Sequence, residues 1–235
     1  MDEILSAKRQ IEEACKGSKA VANESFVSLD IYQLENIIQH GERDGYMQQG
    51  QRVLDMGGGD GRSGIYLAHR GYNVVSIELQ PGLVDIAREA AFKCKDLMPE
   101  GIGFKACQGD YRPEGHMRKR ISGKSFAVKA ENKISGSNNP ADYLLFPKFT
   151  EDAYKKNNIN IKDIDLFYAY AWQIQAPSIL EIFKDYARDD ATLCLVGPTS
   201  SKYVKQLGLI PCWNDETKLE PYWERFVRKI PLAKS

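Results

Sequence analysis

Residues 53–64 read VLDMGGGDGRSG, and this stretch decides the fold of the chain. The apolar run at 52–56 ends at a cluster of glycines, as a buried parallel strand does. The segment GRSGIYLAHRG that follows has helical spacing and closes on Gly71. Glycines let the backbone turn sharply and let a ligand approach it closely. The stretch therefore predicts a strand, a tight ligand-binding turn and a helix.

Strands and helices alternate along most of the sequence. This alternation predicts an α/β fold: a Rossmann-like, doubly wound, mostly parallel seven-stranded sheet with N-terminal helices. The expected elements are helices at 3–16 and 28–40 (the second capped by Ser28), strands at 52–56, 73–79, 102–107, 164–171 and 191–197, helices from Pro81 and over 177–187, and two further strands near 211–213 and 225–231. We expect one domain over 1–235, with the N-terminal helices inside 1–49.

A long segment, 112–162, separates the third and fourth predicted strands. A structureless connection of this length is improbable inside a compact domain. We therefore expect an insertion with structure of its own, containing a strand or hairpin at 125–134 and a helix at 151–158. We expect this insertion to recognise the acceptor.

The composition is that of a globular protein of balanced charge. Apolar residues make up 43% of the 235 residues, and 32 basic side chains match 32 acidic ones. The five cysteines form no C-x-x-C pair, which indicates reduced thiols and a cytoplasmic protein. None of the three histidines lies at ligand spacing from a cysteine, so no metal site is expected. The N-terminus lacks a signal-peptide pattern, and no stretch is long and apolar enough for a membrane helix.

Two cofactor motifs overlap in the glycine stretch. From Asp55 the spacing is D-x-G-x-G-x-G, with Gly57, Gly59 and Gly61, which suggests S-adenosylmethionine. From Gly59 the spacing is G-x-G-x-x-G, ending at Gly64, which is the fingerprint of NAD or FAD. Both motifs require an acid at the end of the second strand, so that acid does not discriminate between them.

The position of Asp55 favours S-adenosylmethionine. A dinucleotide places a doubly negative pyrophosphate against this turn, which a nearby carboxylate would oppose. S-adenosylmethionine instead brings an ammonium and a sulfonium. The chain is also too short for a second mononucleotide half plus a catalytic domain. An NAD-linked oxidoreductase and a catalytically silent cofactor-binding scaffold are the alternative functions.

Five segments in order resemble the class I S-adenosylmethionine-dependent methyltransferases over about residues 50–197. They are VLDMGGGDGRSG, VVSIELQ, QGDY at 108–111, DIDLFYAYAW at 163–172 and FKDYARDDATLCLVG at 183–197. The resemblance implies methyl transfer to a nitrogen or oxygen of a small molecule or a protein side chain. A looser likeness, in GDGR followed by IELQPGLV, is to a branch that methylates protein lysines; YAYAWQIQAP matches the acceptor motif of that branch only loosely.

The resemblance also implies which residues bind the cofactor. The expected contacts are Asp55, Gly57, Gly58, Gly59 and Gly61 at the methionine end, Glu78 at the ribose, Leu79 and Tyr111 beside the adenine ring, and Asp110 at the adenine amino group.

Residues just after the fourth strand are the candidate acceptor and catalytic residues. Tyr170 and Trp172 could flank an acceptor amine by cation–π contact, and Gln173 could hold it by a hydrogen bond. His116, predicted in a polar loop, is the candidate general base because its ordinary pKa lies near neutrality.

Charge is unbalanced only in the insertion. Between 112 and 133 it carries two acids, Glu114 and Glu131, against seven basic residues: Arg112, Arg118, Lys119, Arg120, Lys124, Lys129 and Lys133. An anionic acceptor such as RNA is compatible with this patch, but no RNA-binding motif accompanies it, so nucleic acid is not favoured. A membrane partner is not expected, and the sequence makes no prediction of oligomeric state.

Overall fold

The computed structural model describes residues 2–17, 30–121, 125–135, 152–171, 175–197, 201–212 and 224–229. The chain divides into two compact units, Met1–Tyr111 and Arg112–Ser235. Its strands form a mostly parallel, seven-stranded sheet, and the fold is Rossmann-like α/β. The predicted fold class is therefore confirmed.

The N-terminal unit contains three parallel strands in the order β3-β2-β1. Its elements are α1 (Asp2–Ala14), α2 (Ile31–Arg43), β1 (Arg52–Met56), α3 (Arg62–His69), β2 (Asn73–Glu78), α4 (Pro81–Lys93), a 3₁₀ turn (Lys95–Leu97) and β3 (Phe104–Gln108). The strands lie within two residues of their predicted bounds, because short apolar runs between turn residues mark buried parallel strands clearly.

Helix α1 packs against α3 and α4. The thiol of Cys15, just after α1, donates a hydrogen bond to the carbonyl of Asp60 in the glycine loop at 3.5 Å. Burial raises the pKa of Cys15 to about 12, so this thiol is protonated and can donate. The N-terminal helix therefore supports the loop that the sequence identifies as the ligand site.

Helix α2 begins three residues later than predicted. Its N-cap is Asp30, whose carboxylate accepts the backbone N–H of Tyr32 at 2.7 Å, while the predicted cap, Ser28, lies outside the described residues. Lys8 of α1 also pairs with Asp30 at 3.1 Å. The same carboxylate thus caps α2 and ties it to α1.

A buried ionic cluster joins α2 to α3 and to the chain just after it. Glu35 is buried in α2, where it accepts a hydrogen bond from the Tyr66 hydroxyl at 2.9 Å and forms an ion pair with Arg70. Arg70 also pairs with Glu42 at 2.9 Å. The cluster satisfies a carboxylate that would be costly to bury alone.

The C-terminal unit contains β4 parallel to β5, and β7 antiparallel to both β5 and β6, in the order β4-β5-β7-β6. Its elements are α5 (Glu114–Ile121), α6 (Phe126–Ser135), α7 (Ala153–Lys156), a 3₁₀ turn (Ile161–Asp163), β4 (Leu166–Tyr170), α8 (Ala176–Tyr186), β5 (Thr192–Val196), α9 (Ser201–Gln206), β6 (Ile210–Pro211) and β7 (Glu224–Arg228). Strands β4 and β5 are buried, as their aromatic and aliphatic sequences predict.

The described parts of the insertion form helices, including the part that was expected to form a strand or hairpin. The segment 125–134, predicted as a strand or hairpin, belongs to helix α6, so that prediction is wrong. The start of α6 is stabilised by Glu181 of α8, whose carboxylate accepts the N–H groups of Phe126 and Ala127 at 3.1 Å each. The helix predicted within 151–158 is confirmed as α7, with Asp152 as its N-cap.

No described helix is long and apolar enough to cross a membrane. No disulfide joins any of the five cysteines, four of which are buried.

We expect Arg70→Ala to destabilise the N-terminal unit, because Glu35 would stay buried without its cation. The expected loss is about 2–4 kcal/mol of unfolding free energy, or roughly 5–15 °C in the melting temperature of a chain of this size. Thermal unfolding followed by circular dichroism measures it. The matched control is Arg43→Ala, which removes an exposed pair with Asp44 and should leave the melting temperature nearly unchanged. Equal losses in the two variants would contradict the importance of the buried cluster.

Candidate cofactor site

The carboxyl ends of β1, β2 and β3 meet at one edge of the N-terminal unit. The register pairs Met56 with Ile77 and Glu78 with Gln108, so the turn after each strand starts at nearly the same level. Gly109, after β3, donates its N–H to the carbonyl of Glu78 at 2.9 Å. In open parallel sheets, ligands bind at this edge.

The glycine loop runs from Gly57 to Gly61 and leads into α3. Gly57, Gly59 and Gly61 have φ angles of 81°, 57° and 82°, a left-handed conformation that glycine adopts without strain. Gly61 is the N-cap of α3 and packs closely against α4, since a Cβ there would lie 2.7 Å from the Cβ of Ala87. The turn and its packing therefore both require glycine.

Backbone amides of this loop donate hydrogen bonds to other groups of the protein. Four of them donate internally: Gly57 at 2.9 Å and Gly58 at 3.2 Å to the carbonyl of Ile77, Gly59 at 3.0 Å to Oε2 of Glu78, and Gly61 at 3.0 Å to the carbonyl of Gly58. The amide of Arg62, the first residue of α3, donates to Oδ1 of Asp60 at 3.3 Å. A pyrophosphate-binding turn instead presents such amides to its ligand.

A carboxylate of the protein occupies the start of α3. Asp60 is buried, accepts the N–H of Arg62, and forms an ion pair with the Arg62 guanidinium at 2.5 Å. Phosphate groups of dinucleotides bind at this kind of helix N-terminus. The Asp60 carboxylate already accepts the first backbone N–H of α3, so that amide is not free to bind another anion.

Glu78 lies at the end of β2, half-buried and facing the loop. Its Oε2 accepts the Gly59 amide, and its Oε1 accepts the Gln80 amide at 2.9 Å. These two bonds fix the carboxylate at the edge of the sheet. A carboxylate has lone-pair sites for about four hydrogen bonds, so capacity remains for ribose hydroxyls.

Asp55 lies beneath the loop and is only 2% exposed. Its Oδ2 is 3.2 Å from the Ser76 hydroxyl, and it would lie 2.7 Å from a Cβ added to Gly58. Burial raises the pKa of Asp55 to about 7. The Ser76 hydrogen bond lowers this pKa and the charges of Glu78 and Asp60 raise it, and the value of about 7 is the net result. The Asp55 carboxyl can therefore lose its proton, and add a negative charge to the site, when a cation approaches.

The remaining predicted cofactor residues lie at the same edge. The aromatic ring of Tyr111 would be 3.8 Å from a Cβ added to Gly57, so this ring borders the loop. Leu79 directly follows β2, and Asp110 follows β3; both are half-buried. The structure therefore brings the predicted set together from three consecutive strand ends.

The predicted acceptor residues belong to the C-terminal unit. Tyr170 is the last residue of β4 and is half-buried, whereas Tyr168 is fully buried. Trp172 and Gln173 lie outside the described residues. The structure thus places Tyr170 at the expected strand end, and the roles of all three residues stay predictions.

His116 does not lie in a polar loop, and that prediction is wrong. It lies in α5 and is fully buried, with Nε2 2.9 Å from the Ser178 hydroxyl and Nδ1 3.8 Å from Glu181. An imidazole buried in this way joins α5 to α8. It does not fit a base that must reach an acceptor from solvent.

Two of the basic residues of the insertion form ion pairs with acidic side chains. Among the described side chains, Arg118 pairs with Glu114, and Lys119 pairs with Asp185 at 2.6 Å. Arg112 is buried. The formal excess of positive charge counted from the sequence therefore overstates the positive field of this surface, because Asp185 comes from outside the insertion.

Two features of the site were not predicted. Ser76 is a polar residue at a buried strand position, a pattern that signals a specific hydrogen bond. Asp60 accepts the backbone N–H of Arg62 two residues later, which is the local hydrogen bond by which an Asp side chain forms a turn. No cluster of three or more metal-ligating side chains occurs among the described residues.

No protein-family model matches the sequence, and no curated protein matches it. Solved structures are similar to it. A mutant of MtNAS in complex with S-adenosylmethionine is 12% identical, with a TM-score of 0.51, over 97% of this chain and 75% of that chain. A ribosomal protein L11 methylase from Lactobacillus delbrueckii subsp. bulgaricus is 13% identical, with a TM-score of 0.50, over 87% and 81%. The 16S rRNA methyltransferase RsmC from T. thermophilus is 16% identical, with a TM-score of 0.50, over 88% and 45%.

At these identities the similarities show a shared fold. They agree with the predicted resemblance to class I methyltransferases and with the predicted Rossmann-like sheet.

We expect Asp55→Asn to stabilise the ligand-free protein at pH 8. The folded pKa of Asp55, about 7, exceeds its ordinary value of 3.8, so its contribution to stability is complete below about pH 4 and is lost as the pH rises through 7. Asparagine avoids this loss, worth about 2–4 kcal/mol, and should raise the melting temperature by roughly 5–10 °C.

The difference should shrink as the pH falls towards 4. Melting temperatures from pH 4 to pH 8 measure it, with the exposed Asp96→Asn as the control. A difference between Asp55→Asn and the wild type that does not change with pH would contradict the burial of an ionisable carboxyl.

Proposed function

We propose that this chain is an S-adenosylmethionine-dependent methyltransferase whose cofactor binds at the carboxyl edge of β1, β2 and β3. The observation that carries the proposal is the charge around the glycine loop. Asp55, Asp60 and Glu78 contribute three carboxylates, and one of them, Asp60, is neutralised by Arg62. Such a site favours a ligand with a cationic end and opposes a pyrophosphate.

Each part of the cofactor would be held by different residues. Glu78 would accept hydrogen bonds from the ribose hydroxyls, with Leu79 beside it. Asp110 would accept from the adenine amino group, with Tyr111 beside the ring. Asp55 and the loop from Gly57 to Gly61 would hold the methionine end. The bound cofactor supplies a methyl group activated by its sulfonium, so the protein must mainly align the acceptor.

The acceptor is proposed to be a nitrogen or oxygen of a small molecule or a protein side chain. Tyr170, Trp172 and Gln173 are proposed to hold it. The ion pairs of Arg118 and Lys119 weaken the case for RNA. Solved structures of similar fold include both an L11 methylase and an rRNA methyltransferase, so fold alone does not select between these classes.

The alternative functions have less support. An NAD-linked oxidoreductase would use Gly59, Gly61 and Gly64, but the start of α3 is occupied by Asp60. Gly64 has a packing role instead, because a Cβ there would lie 2.4 Å from the ring of Phe104. A silent scaffold would keep the same site, and only turnover distinguishes it.

We expect S-adenosylmethionine and S-adenosylhomocysteine to raise the melting temperature, and NAD and NADP to leave it unchanged. A ligand at ~100 times its Kd stabilises by about 2.7 kcal/mol, which is roughly 5–10 °C for a chain of this size. Asp55→Ala and Glu78→Ala should fold and lose the shift. Glu89→Ala, which removes an exposed glutamate of α4, is the matched control. Stabilisation by NAD alone would contradict the proposal.

We expect turnover to move the methyl group itself. The protein is incubated with methyl-labelled S-adenosylmethionine and separate pools of metabolites, proteins and RNA. Label in the metabolite or protein pool, together with S-adenosylhomocysteine, supports the proposed acceptor. Label in RNA alone overturns the acceptor class. Release of methylthioadenosine would show that the amino-acid chain had been transferred, and would overturn methyl transfer.

A further inference from the structure

Ser76 is a buried polar residue in the middle of the N-terminal sheet. It is 2% exposed and is the register partner of Asp55 on the adjacent strand. Its hydroxyl lies 3.2 Å from Oδ2 of Asp55. A buried hydroxyl is costly without a hydrogen-bond partner, and here the partner is a carboxylate of the cofactor site.

The glycine loop lies directly on this pair. A Cβ added to Gly58 would be 1.7 Å from the Ser76 hydroxyl oxygen and 2.7 Å from Oδ2 of Asp55. The amide of Gly58 donates to the carbonyl of Ile77, the next residue in β2, at 3.2 Å. The hydroxyl, the carboxylate and the loop backbone are therefore in mutual contact.

Other groups around Asp55 do not favour its charged form. The two charges that act on it most are the carboxylates of Glu78, on β2, and Asp60, in the loop. Arg62 of α3 is engaged in its ion pair with Asp60. Phe104 of β3, which packs against Gly64 beside Asp55, carries no charge. The Ser76 hydroxyl is thus the group that stabilises the Asp55 carboxylate by hydrogen bonding.

We propose that Ser76 is a positioning residue of the cofactor site, which fixes the Asp55 carboxylate in its ionised form beneath the loop when a cationic cofactor binds. This inference rests on the proposed function. Its consequence is that cofactor affinity depends on pH through Asp55. Binding should tighten as the pH rises through about 7, where burial places the pKa of Asp55. Loss of the Ser76 hydroxyl should move that transition to higher pH.

The test compares the Kd of S-adenosylmethionine for Ser76→Ala and wild type by isothermal titration calorimetry from pH 6 to pH 9. The ratio of the two Kd values at each pH cancels any titration of the ligand. We expect a transition about one pH unit higher for Ser76→Ala, with binding roughly tenfold weaker at pH 6, roughly fivefold weaker at pH 7 and nearly equal to the wild type at pH 9. The matched control is Cys107→Ala, which removes one buried side-chain atom from β3 and should follow the wild type.

A second variant keeps the test decisive if the alanine variant does not fold. Ser76→Cys preserves the volume of the side chain but is a weaker donor, so it should shift the pH profile in the same direction. If the Kd of the variants follows the wild type, or is higher by the same factor at every pH, the positioning role is wrong. Binding by the wild type would still support the proposed function in that case. A wild type that binds neither S-adenosylmethionine nor S-adenosylhomocysteine at any pH overturns the proposed function itself.

Discussion

A carboxylate held beneath a glycine turn is the constraint on which the candidate site depends. Asp55, one residue before the end of β1, has almost no exposure, and the loop above it leaves no room for a side chain at Gly58. Glu78 adds a second carboxylate beside the same few residues, and Asp60 adds a third that is paired with Arg62. A ligand of this loop must therefore tolerate, or benefit from, an acidic environment. That requirement separates a sulfonium cofactor from a dinucleotide more sharply than the glycine spacing does.

The overlap of two glycine motifs has a structural explanation. Gly57, Gly59 and Gly61 adopt the left-handed conformations of the turn, whereas Gly64 gives the Phe104 ring room to pack against α3. The G-x-G-x-x-G spacing thus arises from a turn followed by close helix–sheet packing, and neither requires a pyrophosphate. The loop amides also donate hydrogen bonds within the protein, which is a further sign that the loop does not serve a pyrophosphate. Spacing alone therefore does not identify the cofactor, because geometry common to both classes produces it.

The sequence predicted the parts of the structure that depend on local pattern. The strand at 52–56 and the acid at 78 follow from apolar runs that end at turn residues. Helix α6 was missed because its start is stabilised by Glu181, distant in sequence and visible only after folding. The pairing of Ser76 with Asp55 likewise depends on the register between β1 and β2. Contacts between distant segments, rather than propensities, account for what the sequence did not reveal.

The most direct test of this account is a crystal structure with S-adenosylhomocysteine bound. We expect the ribose hydroxyls to bind the Glu78 carboxylate, the adenine to lie between Tyr111 and Asp110, and the amino-acid end to lie over the loop from Gly57 to Gly61. An NAD complex with its pyrophosphate on the first amides of α3, and Asp60 displaced, would contradict it.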